Sequence, residues 1–147
     1  MLKIEKVDHV GIRVSDKAAS IAFYELLGFA MLTDIGFEDG HPIIMEHVSG
    51  VVLNLLGPGV ASGSNILMDV ETRHTGITHV SFKVTSIDEA KAFLAANDIP
   101  LTGEFSFKGM DAVFIRDPDR NVVELDAYAG AEPETRSKHD SGYEKHI

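Results

Sequence analysis

The sequence predicts an α+β fold made of two βαβββ modules in tandem, and three observations predict it. The first is an internal repeat. Asp8-His9-Val10-Gly11-Ile12-Arg13-Val14 has its counterpart 70 residues later in Thr78-His79-Val80-Ser81-Phe82-Lys83-Val84. The same offset maps Ala22-Phe23 onto Ala92-Phe93 and Val52-Leu53-Asn54-Leu55 onto Val122-Val123-Glu124-Leu125. Self-similarity at one fixed spacing marks a duplicated unit. The second observation is periodicity: each half holds one stretch at helical spacing among several that alternate apolar and polar. The third is size. At 147 residues, with 44% hydrophobic and 24% charged residues, the chain can bury roughly 70% of its unfolded surface and needs no covalent staple.

The elements follow in chain order. Residues 7–14 place Val10, Ile12 and Val14 on one side and His9, Gly11 and Arg13 on the other, a period of two and so a strand. Residues 16–27 put Ala19, Ala22, Phe23 and Leu26 at helical spacing. Ser15 or Asp16 can cap the start, and Gly28 suits the left-handed residue beyond the end. Short strands are expected near 31–37, 42–48 and 51–56. The second half repeats the plan with a strand over 78–85. A capping box, Ser86-Ile87-Asp88-Glu89, then opens a helix that runs to about residue 96. Strands near 103–107, 111–116 and 121–127 complete it, with Asp117-Pro118-Asp119-Arg120-Asn121 as the last turn. The predicted organisation is a first module over 1–57, a Gly-rich linker over 58–76, a second module over 77–129 and a polar tail over 130–147.

Composition removes several functions. A net charge of −10 repels polyphosphate and argues against a nucleic-acid binder. The absence of cysteine excludes disulfides, thiolate zinc sites and cysteine nucleophiles. Charged residues stand where a signal peptide needs its apolar core, and no apolar run reaches the length of a membrane span. A cytoplasmic protein with a small-molecule partner is the expectation. Gly57-Pro58-Gly59 is a turn and not a phosphate loop, since no helix with Lys-Ser or Lys-Thr follows.

The repeat also aligns the polar residues of apolar strands. His9 matches His79 in the first strand of each module, and Asn54 matches Glu124 in the last. Glu124 shares its strand face with Val122 and Asp126, opposite Val123 and Leu125. A carboxylate on a covered face needs a partner. Two imidazoles and a carboxylate meeting at one point would supply it through one divalent ion (Fe, Mn, Ni, Co or Zn) with coordination positions left open. His41 and His47 flank an apolar strand; His47 is a candidate to face the site. Phe37, Met45, Phe105, Phe107 and Met110 suit either a pocket wall or core packing.

These segments carry a resemblance. Asp8–Asp16, Phe23-Tyr24-Glu25-Leu26-Leu27-Gly28-Phe29, Thr78–Val84 and Phe114–Leu125 are similar to those of the vicinal oxygen chelate superfamily, over about 5–129 of the chain. That superfamily groups glyoxalase I, bleomycin resistance proteins, fosfomycin resistance enzymes, methylmalonyl-CoA epimerase and extradiol dioxygenases. The resemblance implies that the eight strands curl into one sheet around a metal cup, in a homodimer. It implies His9, His79 and Glu124 as metal ligands, Asn54 at a fourth position and Glu124 as the catalytic base. It further implies Arg13 and Lys108 as substrate contacts, and His47 as a stand-in for a proton donor near the metal. The implied activity is that of a glyoxalase-like lyase or isomerase. The alternatives are an extradiol-type Fe(II) dioxygenase and a metal-free drug- or metabolite-binding protein. Asn54 departs from the glutamate usual in glyoxalase I, since an amide cannot serve as a base.

Overall fold

A computed structural model describes residues 1–130, so the tail expected over 130–147 lies, past Gly130, outside the described residues. The first half runs β1 (Val10–Arg13), α1 (Lys17–Leu26), β2 (Phe29–Asp34), β3 (Ile43–His47) and β4 (Val52–Leu56). The second runs β5 (His79–Lys83), α2 (Ile87–Ala96), β6 (Gly103–Phe107), β7 (Met110–Arg116) and β8 (Val122–Tyr128). The two halves share one topology, with strand order β1-β4-β3-β2 in one sheet and β5-β8-β7-β6 in the other. In each, the first strand pairs parallel to the last and the remaining pairs are antiparallel. A parallel pair needs a crossover connection. The helix and the hairpin strands of each module provide it.

Local chemistry sets the ends of these elements. The Asp16 carboxylate accepts the Ala19 N–H at 2.9 Å, and the Ser86 hydroxyl accepts the Glu89 N–H at 3.2 Å. Each satisfies an orphan donor of a helix N-terminus. Gly28 follows α1 at φ +95°, open to glycine at no steric cost. Several strand boundaries differ from the periodic reading, β5 among them at His79–Lys83 against 78–85, and those of β1 and β2 differ most. Pairing with β4 begins only at Val10, opposite Leu53, so β1 is shorter than 7–14 and His9 precedes it. β2 spans Phe29–Asp34 and not 31–37: its pairing with β3 runs from Phe29, opposite His47, to Asp34, opposite Ile43, with a bulge between Met31 and Thr33. Asp34 then ends it by binding the Lys17 ammonium and accepting the Phe37 N–H.

One hydrophobic cluster serves both modules. Tyr24, Phe37, Ile43, Met45, Leu53 and Leu55 from the first half join Leu94, Val113, Ile115 and Val123 from the second, all nearly or fully buried. Phe29 and Phe82 meet across the joint with ring centroids 5.5 Å apart. Polar contacts close its rim. Tyr24 donates to Asp117 at 3.0 Å, the Ser15 hydroxyl and N–H donate to Asp119, and Asn121 donates to the Arg13 carbonyl at 3.1 Å. Burial pushes the Asp117 carboxyl up, against the pull of the Asn121, Tyr24 and Asp119 donors. The last turn forms with Arg120 at φ +64°, a left-handed position that costs a non-glycine residue roughly 1 kcal/mol. Its guanidinium is held by Asp69 of the linker at 2.8 Å.

The eight strands lie in two separate sheets. Among the described residues no strand pairing joins them, and β1 and β5 each keep an unpaired edge. The curled eight-stranded sheet is therefore not closed within one chain. Among the described residues no helix is long and apolar enough to cross a membrane.

Candidate functional site

β5 turns Val80 and Phe82 toward the core, so His79, Ser81 and Lys83 face the other way. β8 lies beside it in parallel register, Ser81 opposite Glu124 and Lys83 opposite Asp126. This brings the His79 Nε2 within 2.9 Å of the Glu124 Oε2. Glu124 is only 9% exposed, on a strand covered on both faces. A carboxylate that buried requires a partner, and His79 provides one. The other ring nitrogen of His79 shares a hydrogen bond of 2.8 Å with the Thr78 hydroxyl. The Phe114 ring stands edge-on to the imidazole, 6.2 Å between centroids. The imidazole is thus oriented on two sides, with Nε2 left to face the carboxylate. Beside them the Ser81 hydroxyl donates to the buried Asp126 carboxylate.

The first module presents a different half. His9 is exposed, and its Nδ1 lies 2.7 Å from the Asp8 carboxylate. The hydrogen bond to His9 holds the Asp8 carboxyl below its usual range. Asn54 pairs with Gly11 and Ile44, on the side opposite the buried Leu53 and Leu55. Arg13 lies on that same side of β1, exposed. Lys108 occupies the β6–β7 turn, its Nζ 5.1 Å from the centre of the Phe107 ring. His47 lies on the other side of its sheet. It pairs with Phe29, and its ring packs 5.3 Å from the Phe29 ring on the helix side.

The structure therefore joins His79 to Glu124 and leaves His9 and Asn54 on the other module. Among the described residues no group of three or more His, Cys, Asp or Glu is close enough to hold an ion. The His79–Glu124 pair nevertheless fits one edge of a coordination sphere. Two ligands each about 2.1 Å from an ion and at right angles to it lie about 3.0 Å apart. Thr78, Phe114 and Asp126 were not singled out from sequence. The repeat contains the signal for Thr78, because its counterpart is Asp8. Both residues bond the Nδ1 of the histidine that follows.

The chain is similar to known proteins in sequence profile and in fold. A sequence profile of the Glyoxalase/Bleomycin resistance protein/Dioxygenase superfamily matches residues 6–125. No curated protein sequence matches the chain. Among solved structures, a glyoxalase/dioxygenase from Nostoc punctiforme superimposes with a TM-score of 0.69 at 24% identity, covering 85% of this chain and 92% of that one. A lactoylglutathione lyase from Agrobacterium tumefaciens gives 0.63 at 22% identity, with 84% and 94% covered. An antibiotic binding protein from Streptomyces sp. CB03234 gives 0.66 at 20% identity, with 88% and 100% covered.

Proposed function

This chain belongs to the Glyoxalase/Bleomycin resistance protein/Dioxygenase superfamily, and on that premise we propose that it is a divalent-metal-dependent enzyme. Its substrate would be a small molecule that chelates the ion through adjacent oxygens, and its reaction that of a glyoxalase-like lyase or isomerase. The superfamily includes lyases, dioxygenases and binding proteins, takes small molecules such as substrates or antibiotics, and typically binds a divalent metal. The observation that carries the reading is the oriented pair of half-buried His79 and buried Glu124, with donor atoms 2.9 Å apart.

We assign the remaining ligand, His9, and the fourth position, Asn54, to a second copy of the chain. The two half-sites of one chain lie on faces turned away from a single shared core. Among the described residues the β1 and β5 edges are open. The segment before β1 leaves Leu2, Ile4 and Val7 at 88%, 78% and 78% exposure, apolar surface that a homodimer would cover.

When bound, the ion supplies Lewis-acid stabilisation of an enolate or oxyanion. Glu124 is the residue able to take a proton from the substrate, since the matching Asn54 amide has no basic oxygen. Arg13 and Lys108 would hold an acidic group of the substrate. Asn54 also favours a second reading, because two histidines and one carboxylate are the ligand set of an Fe(II) oxygenase.

Metal analysis of protein purified without chelator tests the site. His79→Ala should lose most of the bound metal and keep its fold by circular dichroism. Unchanged metal content would remove the site. Turnover of a hemithioacetal with nickel, cobalt or zinc identifies the lyase. Oxygen uptake with catechols on ferrous protein identifies the oxygenase. A metal-free protein that binds a drug-like molecule without turnover would replace both.

A further inference from the structure

The helix side of the two modules borders a half-open cleft of about 720 Å³ that the metal-site reading does not use. It lies between the end of α1, the paired ends of β2 and β3, and the corner from β5 into α2, and Gly28, Phe29, His47, Phe82, Thr85 and Phe93 line it. Its volume falls within the range of small-molecule sites, roughly 300–1,000 Å³, and such sites favour module junctions and apolar walls with a few placed polar groups. The walls here fit that pattern. Three rings adjoin in sequence, His47 to Phe29 at 5.3 Å and Phe29 to Phe82 at 5.5 Å. Phe93 and Leu26, which also border the cleft, stay 43% and 39% exposed, so an occupant would remove apolar surface from water.

One polar atom is fixed at the wall. The His47 Nδ1 receives the Ser49 backbone N–H at 3.1 Å and lies 2.8 Å from the Ser49 hydroxyl. A backbone N–H can only donate, so Nδ1 holds the lone pair and the proton of the neutral ring sits on Nε2. Nε2 lies over Gly28, 3.0 Å from where a Cβ would stand. Glycine at this place lets the ring reach the wall of the cleft.

We infer that this cleft is a second ligand site, separate from the metal site, for a flat and mostly apolar molecule that carries one acceptor oxygen, with the rings of Phe29, Phe82 and Phe93 covering its faces and the His47 Nε2–H donating to the oxygen. The test uses the whole protein and 8-anilinonaphthalene-1-sulfonate, an aromatic probe with acceptor oxygens. Fluorescence titration should show one saturable site, and amide shifts in a ¹⁵N correlation spectrum should be confined to Gly28, Ser49 and residues 81–86. His47→Phe keeps a ring but removes the donor, and should weaken binding about tenfold. Phe93→Ala, on an exposed helix face, should weaken it as well. Glu124→Gln should leave binding unchanged, which separates this site from the metal site. The inference is overturned by non-saturable binding, by binding indifferent to both His47→Phe and Phe93→Ala, or by binding lost in Glu124→Gln alone. It is equally overturned if Phe93→Ala alters the oligomeric state and not probe affinity, since the face would then contact another chain.

Discussion

The two modules carry the same pattern and hold their histidines differently. His79 is half-buried inside β5 and pairs with Glu124, while His9 is exposed before β1 and pairs with its neighbour Asp8. The cause lies in the last strand of each module. β8 is covered on both faces over Val122–Ala127, so its carboxylate must find a partner. β4 is covered on one face only, with Leu53 and Leu55 buried and Asn54 half-buried on the other. A neutral amide on a half-open face has no comparable need to recruit the imidazole at the start of the neighbouring strand. Duplication has kept the residue pattern, and burial has decided which copy is assembled within one chain.

The largest expected effect tests whether the halves are energetically one body. Leu53 and Val123 are equivalent in the repeat and both fully buried. Leu53→Ala should cost about 3 kcal/mol, and Val123→Ala less, since it deletes fewer buried carbons. Because the core is one cluster across both modules, urea unfolding of each variant should remain a single transition by circular dichroism. A first transition that melts half the signal would make the modules independent.

A smaller effect sharpens the contrast between the last strands. Asn54→Glu gives the first module the carboxylate that the second already has. Metal affinity, measured by competition with a chelator, should rise about tenfold, since an anionic oxygen replaces an amide in reach of the ion. No change would place residue 54 away from the metal.

The smallest effect concerns the linker, which meets the first module through the Gly59 N–H, donated to the Val14 carbonyl at 2.7 Å, and the second through Asp69. The Asp69 carboxylate meets Arg120 at 2.8 Å and Arg116 at 3.0 Å. The bond to Arg120, more than the Asn65 N–H and the Arg116 charge, holds its pKa at about 2, below the ordinary 3.8. A depressed acid stabilises the fold fully above its unfolded pKa and loses that contribution as pH falls toward its folded one. Wild type should therefore lose more stability than Asp69→Asn between pH 3.8 and about 2. Equal losses would detach Asp69 from the fold.

Much of this architecture was legible in the chain because duplication repeats its own evidence. The offset of 70 residues aligned the elements, and the caps at Asp16 and Ser86 stand where side-chain chemistry placed them. Strand ends were less legible. The start of β1 depends on where β4 offers a pairing partner, and the bulge in β2 depends on its neighbour, neither of which is local to the sequence. In the site, pairing of His79 with Glu124 follows from two strands in parallel register. The side taken by His47 does follow from the chain, since it alternates in phase with the buried Ile43 and Met45 and so turns to the helix side, away from the expected site. The separation of His9 from Glu124 was hidden, since a repeat shows which residues are equivalent and not whether their modules face each other.

The central claim is that His79 and Glu124 form half of a divalent-metal site completed by His9 of another chain, and mixing two defective variants tests it most directly. His9→Ala and His79→Ala should each be nearly metal-free alone. Unfolded together at equal amounts and refolded, they would form mixed dimers in which one of two sites is intact, and about a quarter of the wild-type metal should return. A mixture that binds no more metal than its separate components would contradict the account.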